Sequence, residues 1–144
     1  MASLFVDTSS LVKFYYPEVD SDKVDAALLT ADHIYISFLT MVEMASALSK
    51  KVRLGDLTKH TETILWNTFL DDLDASKIEM VGLNDRHYAK AADLIREFGG
   101  KDGIKTLDSL HLSVAHSLRN AAFLCSDKIL SRVALKMGIK PARL

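Results

Sequence analysis

The chain has a single cysteine, Cys125, only two prolines and six glycines in 144 residues. One thiol cannot close an internal disulfide, so a disulfide-stapled secreted scaffold is excluded, and its place in an apolar run suits a small buried hydrophobe. Biased or repeated tracts are absent, which removes linkers and repeat arrays. No stretch approaches the roughly 18 apolar residues of a membrane span. The opening from Met1 to Asp7 lacks the charged and apolar regions of a signal peptide. A glycine-rich phosphate loop is missing as well, which argues against a P-loop nucleotide site. Net charge is −1, so no overall field recruits nucleic acid. These absences lead us to expect a cytoplasmic protein with no membrane segment, built as one domain over residues 1–144.

What is present is apolar and alternating. Nearly half the residues are hydrophobic, enough for a sizeable core. Leu4-Phe5-Val6 reads as a short buried strand, and Asp7 to Ser10 as the start of a helix that Pro17 stops. A helix from about Ser21, a strand at Ile34–Ser37 and a long helix from Phe38 to Val52 follow. After the break at Gly55-Asp56, another helix carries Ile64, Leu65, Phe69 and Leu73. Ile78 to Leu83 reads as a third strand. Asn84 caps a helix that should end before Gly99-Gly100. Leu107–Leu118 is helical, Ala121–Cys125 a strand and Lys128–Met137 a helix, with a short edge strand expected in Ile139–Leu144. Alternation of this kind predicts an α/β fold: three layers, α/β/α, around a mostly parallel sheet. Ligands bind such sheets at the carboxyl ends of the strands.

Four acidic residues sit in apolar surroundings where a charge is costly. Asp7 ends the first strand, Asp127 follows the last one, and Asp108 opens an apolar helix. Glu43 is the sole charged residue between Ile34 and Ser49. Asp is also a favoured helix cap, which accounts for Asp7, Asp108 or Asp127 taken singly. Glu43 in mid-helix gains nothing from capping; its ordinary alternative is an ion pair with a Lys or Arg. Carboxylates gathered in one cleft repel, and a hard divalent cation is the usual remedy. The pattern points to a metal site with Asp7, Glu43, Asp108 and Asp127 as ligands and catalytic groups.

Four stretches, Leu4–Lys13, Ile36–Leu48, Leu107–Leu112 and Leu124–Leu130, resemble the blocks of PIN-domain ribonucleases, nearest to the VapC-type toxins of toxin–antitoxin pairs. They fall in the family's order and span most of the chain. The resemblance implies a PIN-like fold and a Mg²⁺- or Mn²⁺-dependent endoribonuclease using one or two ions. It also implies a cognate antitoxin as partner, RNA as substrate and a homodimer. It assigns the metal-site acids to the same four residues. Ser9 keeps the hydroxyl that follows the first acid, a contact for that acid or for phosphate. Where the family often carries Thr or Ser two positions before its last acid, Cys125 stands here. Ser126 is adjacent, though in a strand it would face the other side. Either Cys125 replaces the hydroxyl, or Ser126 reaches the site through local distortion.

Basic residues crowd the end of the chain. Lys128, Arg132 and Lys136 recur at i, i+4 and i+8 as one helical stripe, read either as a solvated face or as an RNA contact. Lys13, Lys101 and Lys105 are the next candidates for holding RNA. His111, three residues after Asp108, fits a hydrogen-bonded, partly buried histidine better than a proton shuttle. Tyr15, Tyr16 and Trp66 could stack bases, but at helical spacing they suit packing as well. Two other classes are compatible with strand-end acids. A phosphoacceptor domain would need an acidic neighbour of Asp7 and an acceptor Asp near mid-chain, and neither is present. A PIN-like binding scaffold without catalysis would not require all four acids.

Overall fold

The computed structural model describes residues 2–142. Four strands, β1 (Ser3–Val6), β2 (His33–Ser37), β3 (Glu79–Val81) and β4 (Ala121–Leu124), form one sheet in the order β3-β2-β1-β4. Every pairing is parallel. Parallel neighbours need crossovers, and helices supply them: α1 (Thr8–Tyr15) and α2 (Ser21–Thr30) precede β2, and α3 (Phe38–Arg53) and α4 (Lys59–Asp74) precede β3. Then come α5 (Asp85–Leu94), a π-helical turn at Ile95–Gly99, α6 (Gly100–Asp102) and α7 (Thr106–Ser117), with α8 (Lys128–Lys136) after β4.

The period-two alternation of the strands divides the core. Leu4, Val6, Ile36 and Leu124 face a cluster built from α1 to α4, including Leu11, Val24, Met44 and Phe69. Phe5 and Phe123 face the opposite side, where Leu94, Leu112, Val114 and Val133 from α5, α7 and α8 pack. The expected three layers are therefore present, with a fully parallel sheet. A buried parallel sheet explains why its strands read as short apolar runs. The predicted edge strand is reduced to one parallel bridge, Phe123 to Pro141, flanked by Phe123 N–H to the Lys140 carbonyl and Ala142 N–H to the Phe123 carbonyl. Arg143 and Leu144 lie outside the described residues.

A helix boundary and a strand differ from expectation. The helix after Asn84 does not end before Gly99-Gly100; helical structure runs on through the π turn to Asp102. The stop is Gly103, left-handed at φ +78, a conformation glycine adopts without a Cβ clash. Gly99 serves packing instead, since a Cβ there would come within 3.3 Å of the Ile95 side chain. A π turn admits the one extra residue that keeps this segment helical. β3 is also shorter than Ile78–Leu83.

The aromatic residues of α1 and α4 pack together rather than lining a free surface. Tyr15 meets Phe14 edge-on at 5.0 Å and Phe69 at 5.6 Å, and Trp66 lies 5.6 Å from Phe69. The Tyr15 hydroxyl donates to Asp72 Oδ2 at 2.7 Å, while burial, then the Asp72 bond and charge, drive its pKa up.

Candidate active site

The carboxyl ends of β1 and β4 meet at Asp7, whose N–H donates to the Leu124 carbonyl at 3.1 Å. Asp7 is buried and caps α1: its Oδ1 accepts from Ser10 N–H at 3.1 Å. Its Oδ2 accepts from the Ser9 hydroxyl and, at 3.4 Å, from the Cys125 thiol. Cys125 lies just beyond β4 and so escapes strict strand alternation. Both alternatives for the missing hydroxyl are thus answered by separate contacts: Cys125 turns to Asp7, and Ser126 Oγ lies 2.8 Å from Ser10 Oγ. Burial and then the Asp7 charge push the Cys125 thiol pKa up, so it stays protonated and donates.

Glu43 enters from α3, which follows the neighbouring strand β2. Its Oε1 accepts from the Thr8 hydroxyl at 2.7 Å and bonds to His111 Nε2 of α7. Thr8 adjoins Asp7, so a short path links the two acids. The partner of Glu43 is therefore a buried histidine rather than a Lys or Arg. Burial raises the carboxyl pKa, but the His111 bond and charge, with the Thr8 bond, outweigh it and hold Glu43 below its ordinary value. His111 Nδ1 is buried without a partner, which leaves the bond to Glu43 as the one that orients the ring.

Asp108 stands one turn before His111 on α7, and its Oδ2 accepts from Lys105 N–H at 2.9 Å. Asp127 is exposed and caps α8 through Oδ1 to Leu130 N–H at 3.0 Å. Neither bonds directly to Asp7 or Glu43; Cys125 bridges Asp7 to the Asp127 carbonyl, with a thiol–oxygen distance of 3.5 Å to the latter. Among the described residues, no three His, Cys, Asp or Glu side chains converge closely enough to cage an ion.

Capping does not exhaust these carboxylates. Glu43 receives both its bonds on Oε1, Asp108 its bond on Oδ2 and Asp127 on Oδ1. No described residue donates to the second oxygen of any of the three. Mg²⁺ commonly takes only one or two protein carboxylates and keeps water elsewhere. Carboxylates that each present one uncommitted oxygen fit a hydrated hard cation of that kind; they do not fit a site that needs three preassembled ligands.

A cleft of about 570 Å³ opens beside Asp127 and is lined by Ser9, Lys13 and Ser126, and by Lys50 and Lys51 from the end of α3. The sequence reading included Lys13 but missed Lys50 and Lys51, as it missed Thr8. Lys51 is already engaged, 2.7 Å from Glu18 and 4.2 Å from the centre of the Tyr16 ring. The late stripe is exposed on α8, but Lys136 is spent on Asp102 at 2.8 Å.

A family model described as PIN domain matches residues 4–136. Solved structures share the fold, among them these three. VapBC2 from Rickettsia felis, bound to a DNA fragment from its promoter, superposes with TM-score 0.65 at 19% identity, covering 91% of this chain and 92% of that one. FitAcB from Neisseria gonorrhoeae gives 0.68 at 15%, covering 97% and 96%. PAE2754 from Pyrobaculum aerophilum gives 0.61 at 16%, covering 95% and 90%. No curated protein matches the chain.

Proposed function

The chain belongs to the PIN domain family, and from that premise we propose that it is a Mg²⁺- or Mn²⁺-dependent endoribonuclease, the toxin of a toxin–antitoxin pair. The observation that carries the reading is Glu43: a charge placed in an apolar helix, held ionised by Thr8 and His111, with Oε2 left uncommitted. Glu43, Asp108 and Asp127 would hold the cation through their uncommitted oxygens. Asp7 would join them by releasing the Ser9 hydroxyl. The cation, when bound, supplies a more acidic water and charge stabilisation at the phosphate.

The chain's own residues prepare that chemistry. Thr8 and His111 fix the Glu43 carboxylate, whose Oε2 would bind the cation or position the attacking water. Ser9, Ser10 and Cys125 keep Asp7 oriented, and Lys13 and Lys50 offer cations to the phosphates of a strand in the adjoining cleft. Two of the solved relatives with this fold are described as VapBC2 and as a toxin–antitoxin complex from Klebsiella pneumoniae, which supports an antitoxin as the physiological partner. Phe38, Val42 and Ile64 are large apolar residues left exposed on α3 and α4. They suit a partner surface, whether antitoxin or a second copy in a homodimer.

Because no three ligands stand preassembled among the described residues, a PIN scaffold that binds partners without cleaving is the second reading. One experiment separates them: incubate the purified chain with a mixed RNA pool, with Mg²⁺, with Mn²⁺ and with EDTA, beside Asp7→Asn. Cleavage that needs the metal and Asp7 supports the nuclease. Intact RNA in every arm, with RNA or protein partner still bound, supports the scaffold.

A further inference from the structure

At the end of α7 remote from Asp108, the surface carries cations without counter-charge. A cleft of about 530 Å³ is lined by Arg86 and Lys90 of α5 and by His116 and Arg119 at the end of α7. A second cleft, of about 260 Å³, shares His116 and Arg119 and adds Lys140. No Asp or Glu lines either one. Among the described residues, none of Arg86, Lys90, Arg119 and Lys140 pairs with a carboxylate. The chain has 19 acidic residues and a net charge of −1, so carboxylates are not scarce. Like charges left together without counter-ions raise the free energy of the apo protein.

The floor of the trough is fixed and uncharged. His87 Nδ1 accepts from Asn84 N–H at 3.0 Å, which places its hydrogen on Nε2, 3.1 Å from Ser117 Oγ. The Ser117 hydroxyl donates in turn to the Val114 carbonyl, so its oxygen accepts from His87. Arg86 and Lys90, four residues apart, share a face of α5. Burial, then the charges of Lys90 and Arg119, push the His116 pKa down, a sign that these cations converge on one spot.

We propose that this trough binds the phosphate backbone of single-stranded RNA, a second grip away from the acids. It rests on the nuclease reading above for its place in function. Eight residues of helix separate Asp108 from His116, a rise of about 12 Å, a span that a short stretch of extended strand bridges. Phosphate suits the residues present, because the planar guanidinium forks of Arg86 and Arg119 match its oxygens in pairs.

The test measures binding of a fluorescent 20-nucleotide single-stranded RNA to the full chain in EDTA, where no metal-dependent cleavage intervenes, across a series of NaCl concentrations. Wild type is compared with Arg86→Gln/Lys90→Gln/Arg119→Gln, whose sites are exposed and whose fold is checked by melting. A polyglutamate peptide serves as a second probe. The triple variant should bind RNA at least 10-fold more weakly. Its log K against log salt slope should flatten by about two units, roughly 0.7 for each lost single-strand contact. Unchanged RNA affinity and slope overturn the proposal, and loss of polyglutamate binding alone reassigns the trough to an acidic peptide. Wild type that binds RNA with this slope in EDTA, yet leaves the same RNA uncut in Mg²⁺ and in Mn²⁺, would sink the nuclease reading and leave the grip intact. Cleavage with an unchanged slope would do the reverse.

Discussion

Glu43 and His111 are 68 residues apart in sequence and bonded to each other across α3 and α7. That contact ties the helix layer on one face of the sheet to the layer on the other, and it does so at the site. Replacing His111 with Ala leaves Glu43 half-buried with Thr8 as its one donor. Stability should fall by about 1–3 kcal/mol, the usual cost of stranding a buried polar partner. RNA cleavage should drop roughly 10–100-fold, as when a residue orienting a metal-binding carboxylate is removed. Urea unfolding and single-turnover kinetics measure the two effects. Wild-type rates in a folded His111→Ala variant would remove His111 from the site.

The same pair sets a pH dependence. Glu43 has a lowered pKa in the fold, so it stays ionised at pH values where the unfolded chain takes up a proton. Its contribution to stability is full above the ordinary glutamate value of about 4.3 and is lost as pH falls through the lower folded value. Melting temperatures of the metal-free protein between pH 3 and 6 should decline more steeply for wild type than for Glu43→Gln. Parallel curves would show that Glu43 is not held ionised.

Neutralising Asp7 or Asp108 to Asn should abolish cleavage while the fold survives. An Asn side-chain oxygen can still cap α1 at Ser10 or accept from Lys105 N–H; at Asp7 the amide nitrogen that replaces Oδ2 no longer accepts from Ser9 and Cys125, whose hydroxyl and thiol must turn elsewhere. Removing one negative charge from the cluster relieves repulsion. Apo melting should therefore be unchanged or slightly raised. Asp7→Ala, by contrast, removes the cap and should cost about 1 kcal/mol. Full activity in both Asn variants at equal metal would end the assignment.

How far the residues foretold this site depends on the range of the interaction. β1, β4 and their terminal acids were legible because apolar runs ending in Asp are local signals, and the four strands followed from alternation. Long-range pairings were not. Nothing near Glu43 names His111, and Lys50 reaches the cleft beside Asp127 only because α3 packs against α1. Gly99-Gly100 read as a stop because glycine commonly ends helices, yet both lie within helical structure, and a Cβ at Gly99 would press on the Ile95 side chain. At Cys125 the departure was visible, but its resolution needed the strand to end at Leu124, one residue earlier than expected. For Asp108 and Asp127 the structure shows the cap, and capping does not exclude ligation, since a carboxylate has two oxygens.

The Cys125 thiol should resist modification. With burial and Asp7 both raising its pKa, little thiolate exists at neutral pH, and the thiolate is the reactive form. Native protein should react with iodoacetamide far more slowly than urea-unfolded protein at pH 7.5, as followed by mass spectrometry. Equal rates would mean that the thiol does not face Asp7.

The late basic stripe divides on structural grounds. Lys136 is bound to Asp102, whose second oxygen is buried without a partner, so Lys136→Gln strands a buried carboxylate. That change should lower the melting temperature and leave RNA affinity nearly unaltered. Lys128 and Arg132 are exposed on α8 just after Asp127 and make no ion pair among the described residues. If they contact phosphate, Lys128→Gln/Arg132→Gln should weaken binding to unrelated RNAs alike. The salt slope should flatten by about 1.4 units, roughly 0.7 per single-strand contact, with melting unchanged. Fluorescence binding isotherms over a salt series, beside thermal melts, read all three variants. An unaltered slope for the double variant would make the stripe a solvated helix face, and the strand would then be held by Lys13 and Lys50 in the cleft beside Asp127.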